Sequence, residues 1–306
     1  MKNDCKVMVT GGKGFIGRRL VQRLEKYGNE VAVIDKEDGG ILNSEYLKSK
    51  LDGVHVVFHL GSASGSLFFT EDPIHSVNVN CGGTANLLET VLKSDVKRVV
   101  FASTMSAYAF TPIPHCEEGP INSPNPYVAT KLFGEQMMRL YYQNHGLETV
   151  VCRFASVYGI GEHTKGFVAN PVTQFVWSVL TGGKPKVFGN GSQTRDLVYV
   201  DDVCGAITAA ALGGSPGEVY NVSTNIETSM NEVVKMLEKV HGEKVEANYT
   251  EWKPYDQQSK YIDRQCASFE KLKNTCGWRP LVDLETGMRS VYDYYKNNKE
   301  LIPKVP

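Results

Sequence analysis

The chain is 306 residues long, enough to bury a large core in one α/β unit with a smaller lobe attached. Its 33 basic and 34 acidic side chains leave a net charge of -1, which excludes a global basic field for a nucleic acid polymer or an anionic membrane, and no apolar run approaches the ~20 residues of a membrane-spanning helix. Seven scattered cysteines with no Cys-x-x-Cys pair read as reduced thiols of a cytoplasmic protein, with neither a disulfide framework nor a metal site.

Strand-like and helix-like segments alternate through the first half. Lys6–Thr10 is a short apolar run ending at glycines, so the chain enters a strand directly rather than through a secretory signal. Ile16, Leu20, Val21 and Leu24 recur at helical spacing and predict a helix over Phe15–Lys26. Residues 30–35 and 54–60 read as buried strands. The stretch between Asp35 and Val54 is too short for a helix, a strand and a second helix. It predicts a stub of a third strand at residues 40–42, then one helix near Ser44–Lys50. A helix over residues 80–93, a strand over 98–103, a long helix over Pro126–His145 and a strand over 148–153 follow. Continuous apolar strands alternating with helices imply a doubly wound parallel sheet of Rossmann type.

After Arg153 the rhythm loosens, with glycines and prolines at 159–171, 182–191 and 213–217. Helices are expected at 203–212 and Met230–His241, and a short strand at 218–222. The expected division is a cofactor-binding domain over residues 1–157, rejoined by 196–224, and a smaller substrate-binding lobe mainly within 158–306.

Residues 10–17 read Thr-Gly-Gly-Lys-Gly-Phe-Ile-Gly and join the first strand to the first helix. Gly11, Gly14 and Gly17 allow a tight turn, close backbone approach to a diphosphate and close helix–strand packing. Phe15 and Ile16 then open a helix whose N-terminus faces an anion. Asp35 closes the second strand, where a carboxylate binds both adenosine ribose hydroxyls and repels a 2′-phosphate. That favours NAD over NADP, a preference the adjacent Lys36 weakens slightly. Tyr127 and Lys131 are four residues apart, on one helix face. An ammonium beside a phenol lowers its pKa and suits it to accept a proton from a sugar hydroxyl.

Together these motifs resemble the NAD-dependent epimerase/dehydratase family of extended short-chain dehydrogenases/reductases, which acts on nucleotide sugars. The resemblance covers nearly the whole chain. It runs through Val-Phe-His-Leu-Gly-Ser-Ala at 57–63, Asn80-x-x-Gly83-Thr84, Ser103-Thr104 and Tyr127-x-x-x-Lys131. It continues with Arg153-x-x-x-Val-Tyr-Gly159 and Gly189-x-Gly-x-x-x-Arg195-Asp-Leu-Val-x-Val-Asp-Asp202. The resemblance implies NAD held by the glycine turn, Asp35, Lys36, Ile41, Leu60, Gly61, Ser62, Asn80, Ser103 and Phe154. It implies Tyr127 as general acid/base, Lys131 on the nicotinamide ribose, and Thr104 hydrogen-bonded to the reacting hydroxyl. Asn80 serves equally as a helix N-cap. Arg195 would bind the substrate diphosphate through its fork.

The two residues after Thr104 bear on the reaction. Dehydratases of this family carry Asp-Glu there and decarboxylases usually a Glu, whereas this chain has Met105 and Ser106. The resemblance therefore implies hydride chemistry at one sugar carbon, as in 4-epimerisation of a UDP-sugar. A net NAD-dependent oxidoreductase using the same residues remains the alternative, and a non-enzymatic NAD-binding scaffold is a second. Met105, Ser106, Ser156, Lys253 and Asp256 are expected at the substrate. Ser156 replaces a usual Asn, and Lys253 a usual Arg. Lys260, with His163 and Lys165, could hold a uronic acid carboxylate. The resemblance further implies a homodimer built on the helices at 80–93 and Pro126–His145, with Met137, Met138, Leu140, Tyr141 and Tyr142 on the second.

Overall fold

Residues 5–252 and 262–304 are described by the structure, a computed structural model. Its centre is a parallel sheet of six strands. In chain order these are β1 (Lys6–Thr10), β2 (Glu30–Ile34), β3 (Val54–His59), β4 (Arg98–Thr104), β5 (Glu148–Phe154) and β9 (Val219–Val222). Their spatial order is β2-β1-β3-β4-β5-β9. Val7, Val9, Phe58, Val100 and Val150 face one core layer, and Met8, Val57, Val99 and Val151 the other. Helices cover both faces, which is why these strands read as unbroken apolar runs. The strand order reverses at β1, so the carboxyl ends of β1 and β3 diverge into a crevice.

α1 (Phe15–Lys26) buries Phe15, Gly17, Leu20 and Leu24, a stripe set by the 3.6-residue period. Full burial of a leucine such as Leu20 contributes about 1.5–3 kcal/mol. The expected strand stub at 40–42 does not form. A 3-10 turn at Glu37–Leu42 takes its place, because Gly39 and Gly40 adopt φ of 83° and 54° and turn the chain back. Ile41 is thereby driven onto Gly83, where a Cβ would lie 2.6 Å from its Cδ1. α2 (Ser44–Lys50) follows, leaving β2 as the sheet edge.

The helix expected at 80–93 begins earlier. α3 (Ser66–Glu71) precedes α4 (Pro73–Val77), which is capped by Asp72. A π-turn at Asn78–Gly82 joins α4 to α5 (Gly83–Val91). The apolar spacing of Leu87, Leu88 and Val91 marks only the second half, because Ile74 and Val77 on α4 are exposed. α6 (Pro126–His145) has Asn125 as N-cap, Pro126 at its first position and Gly146 as a left-handed C-cap.

Beyond β5, β6 (Ser156–Tyr158), α7 (Pro171–Leu180), β7 (Lys186–Phe188) and β8 (Thr194–Tyr199) lead into α8 (Val200–Gly213). α8 is longer than expected and packs on α1, where Arg19 donates to Asp201 at 2.7–2.9 Å. β10 (Glu227–Ser229), α9 (Met230–His241) and β11 (Asn248–Thr250) follow β9. The smaller sheets are β10-β8-β6 and β11-β7. Asp196 on β8 accepts from the backbone of Thr224, Asn225 and Ala267 at 2.8, 3.0 and 3.3 Å and so ties three segments together. No helix among the described residues is long and apolar enough to cross a membrane.

Candidate active site

The turns after β1 and β3 touch each other. Thr10 Oγ1 accepts the Gly61 amide at 3.0 Å. Gly11 sits at φ 69°, and a Cβ there would lie 2.8 Å from the Gly61 nitrogen. The crevice they open is a cleft of about 1050 Å³. Gly11, Gly14, Phe15, Ile16 and Gly17 line it, as do Asp35, Lys36, Ile41, Leu60, Gly61, Ser62 and Phe154. Ser103, Thr104, Tyr127 and Lys131 face the same space.

The floor of the cleft fits a dinucleotide. Gly14 caps α1 without a side-chain hydrogen bond, and no acid lies in the first turn, so an anion meets open amides and a positive dipole end. Any side chain at Gly17 would enter the turn, its Cβ 2.0 Å from the Gly11 oxygen. Asp35 is held by the amides of Lys13 and Lys36 at 2.8 and 2.9 Å.

Tyr127 and Lys131 sit one turn apart near the start of α6. Lys131 Nζ donates to Ser62 Oγ at 3.0 Å and to the Ala102 carbonyl at 2.9 Å. Burial lowers its pKa to about 8, with the Glu135 charge acting the other way. Burial raises the Tyr127 phenol to about 12, against a smaller lowering by its hydrogen bond with Thr104. The lowering of the phenol expected from Lys131 is therefore not what this geometry produces: Lys131 points at Ser62 and β4, and burial, only partly offset by Thr104, holds the phenol up. Phe69 of α3 packs edge-on against the Tyr127 ring at 6.2 Å.

Asn80 departs from both expectations. It lies inside the π-turn, not at an N-cap, and outside the cleft lining. Its side chain accepts from the Ala63 amide at 2.8 Å and donates to Thr130 Oγ1 at 2.9 Å. It therefore braces the post-β3 turn against α6. His59 is a second brace that the sequence does not announce. It is fully buried, and burial followed by the charge of Lys131 lowers its pKa to about 3. Thr84 gives its proton to the Asn80 carbonyl at 2.6 Å, so its oxygen accepts from His59 Nε2 at 3.0 Å. Nδ1 then accepts from Thr10 at 2.8 Å.

The expected substrate contacts fare unevenly. Met105 is buried in the core behind the cleft, in a 3-10 turn at Met105–Tyr108, because its side chain is apolar and its neighbour Thr104 takes the cleft-facing position. Ser106 and Ser156 are half-buried and outside the lining. Arg195 lies on β8 outside the lining, and its Nη1 donates to the carbonyls of Thr194 and Ile262 at 2.7 and 2.9 Å. Part of the expected fork is thus taken by backbone, and burial lowers its pKa to about 10. His163 turns to Tyr295, its amide 3.0 Å from the hydroxyl, while Lys165 lines the cleft and pairs with Glu162 at 3.2 Å. Lys253, Asp256 and Lys260 lie outside the described residues. Among the described residues no group of three or more His, Cys, Asp or Glu is arranged to hold a metal.

This cleft belongs to a widely shared architecture. A UDP-glucose 4-epimerase from Thermotoga maritima, solved with UDP-glucose, superposes with a TM-score of 0.89 at 28% identity, covering 96% of this chain and 99% of that one. A UDP-glucose 4-epimerase from Thermus thermophilus, solved in complex with NAD, gives 0.85 at 30% identity, covering 95% and 99%. The UDP-glucose 4-epimerase of Mycolicibacterium smegmatis is 29% identical over 318 residues, 96% of this chain and 100% of that protein. Other relatives carry the names of UDP-glucuronic acid decarboxylase and dTDP-glucose 4,6-dehydratase, so the likeness spans several reactions. The model of the NAD dependent epimerase/dehydratase family matches residues 7–223. The chain belongs to that family, whose cofactor is NAD.

Proposed function

We propose that the protein is a nucleotide-sugar 4-epimerase with a UDP-sugar as substrate. The observation that carries this reading is the pairing of Tyr127 with Thr104 in the cleft, with no acid or base at the two positions after Thr104, one of which is buried in the core. NAD, when bound, supplies the hydride acceptor and donor for one sugar carbon, and a cationic ring whose charge favours the phenolate. The phenolate form of Tyr127, which the charge of bound NAD would favour over the phenol that burial otherwise holds, takes the proton of the C4 hydroxyl, and Thr104 holds that hydroxyl in line. Lys131, whose ammonium points at Ser62 and the Ala102 carbonyl, would hold the nicotinamide ribose hydroxyls. The cleft retains the 4-keto sugar while it turns over, and Tyr127 returns the proton when the opposite face is reduced.

The remaining roles belong to the same proposal. The glycine turn, Asp35, Lys36, Ile41, Leu60, Gly61, Ser62, Ser103 and Phe154 hold NAD, with residues 1–157 and 196–224 as the cofactor domain and the rest of 158–306 mainly as substrate lobe. Arg195, Ser156, Lys253 and Asp256 meet the nucleoside diphosphate. A cytoplasmic homodimer pairs through α5 and α6, where Phe133 and Tyr142 are exposed. Met138 and Tyr141 are buried in their own subunit and take no part. Size-exclusion chromatography with light scattering should read twice the 33.9 kDa chain mass.

A panel of UDP-, dTDP-, GDP- and CDP-sugars followed by NMR tests the reaction. Conversion between a pair of C4 epimers without net NADH is expected. Accumulation of NADH with a released keto sugar would make the protein a net oxidoreductase instead. Asp35→Ala should weaken NAD about tenfold, in line with loss of a charge-assisted hydrogen bond, and narrow the gap to NADP. Titration calorimetry on apoprotein measures both. The activity should also fall as pH rises through about 8, where Lys131 loses its proton.

A further inference from the structure

Behind the acid/base pair lies a buried ion pair that the proton transfer itself does not use. Glu135 is one turn beyond Lys131 on α6, and Arg153 stands on β5. Their side chains are 9% and 5% exposed. Arg153 Nε and Nη2 donate to the two Glu135 oxygens at 2.9 and 2.6 Å, and Nη1 donates to Tyr108 Oη at 2.8 Å. Ser103, which lines the cleft, donates its hydroxyl proton to Glu135 Oε1. A buried pair of this kind adds little net stability over an apolar pair of the same volume. What an apolar pair would not supply is a negative charge on the α6 face that carries Lys131.

The other described groups around Lys131 offer no such charge. His59 from β3 is neutral. Ser62 and the Ala102 carbonyl accept from Nζ, and the Phe101 ring of β4 lies 5.1 Å from it. Tyr127 on its own helix is raised and protonated. Arg153 on β5 is a cation, held behind Glu135. Glu135 is the carboxylate whose charge favours the ammonium.

We propose that Glu135 is a positioning residue of the acid/base site: it fixes the Ser103 hydroxyl as an acceptor toward the cleft and supplies the counter-charge that keeps Lys131 an ammonium. The catalytic consequence rests on the role of Lys131 proposed above; the charge effect does not. Burial pulls the Lys131 ammonium toward its neutral form and Glu135 opposes it. Without that charge Lys131 releases its proton at lower pH.

Glu135→Gln keeps an oxygen for Ser103 and removes the charge. Lysine-labelled protein, with the Lys131 Nζ resonance assigned by its loss in Lys131→Arg, reports the titration by NMR without any sugar. The midpoint should fall by about one pH unit, and the alkaline limb of the kcat profile should follow it, with KM little changed. Glutamine leaves Arg153 unpaired in the interior, so Glu135→Leu with Arg153→Met, which buries no charge, is measured in parallel and should shift the same way. An unmoved midpoint in a folded variant overturns the proposal and leaves the pair a purely structural role. A midpoint that moves in a protein that converts no nucleotide sugar supports the charge effect and counts against the proposed reaction alone.

Discussion

Tyr127→Phe should lower turnover by about 10²- to 10⁴-fold, the usual contribution of a positioned general acid/base. The phenyl ring keeps its edge contact with Phe69, and the lost hydroxyl gives up one hydrogen bond, with Thr104. The fold should lose no more than about 1 kcal/mol, and bound NAD should be retained, because the glycine turn and Asp35 lie on other elements. Turnover measured beside NAD content separates a chemical defect from a binding defect. A variant within a few-fold of the parent would place the proton transfer on another group.

Gly17→Ala carries the second large effect. Alanine in a helix is ordinarily favourable over glycine by about 1 kcal/mol. Here the new Cβ would lie 2.0 Å from the Gly11 oxygen and 2.8 Å from the Gly11 carbonyl carbon and the Gly12 Cα. All three are backbone, so no side chain can swing away. The turn itself must move, at a cost of about 3 kcal/mol or more for such overpacking, and the moved turn no longer fits a diphosphate. Purified Gly17→Ala should contain little NAD and melt several degrees lower. Gly82→Ala is the matched control. It stands in the helical region with nothing within 4 Å of its Cβ position, and it should leave NAD in place and melt no lower than the parent. Equal NAD content in the two variants would contradict the role given to the turn.

The parts of the site that were legible in the sequence are those fixed by neighbours in the chain. The glycine turn, Asp35 at a strand end and the Tyr127–Lys131 spacing depend on one element each, and the structure brings all of them to one cleft. What stayed hidden depends on partners far along the chain. Asn80 braces Thr130 fifty residues on, and His59 bridges Thr10 and Thr84. Met105 sits beside a cleft residue in sequence yet packs into the core, and Arg195 spends Nη1 on the Ile262 carbonyl. Glu135 stands four residues beyond Lys131 on the same helical face, a spacing the sequence displays without naming its partner Arg153. The missing third strand had a local cause as well: two adjacent glycines at positive φ turned the segment into a 3-10 helix. Short apolar runs do not separate a strand from such a turn.

A UDP-sugar carrying deuterium at C4 gives the most direct test of a single-carbon reaction run by Tyr127. The 4-epimer should form with its deuterium retained at C4, without exchange with solvent and without net consumption of NAD. Loss of the label from C4, or release of a keto sugar with stoichiometric NADH, would contradict the account.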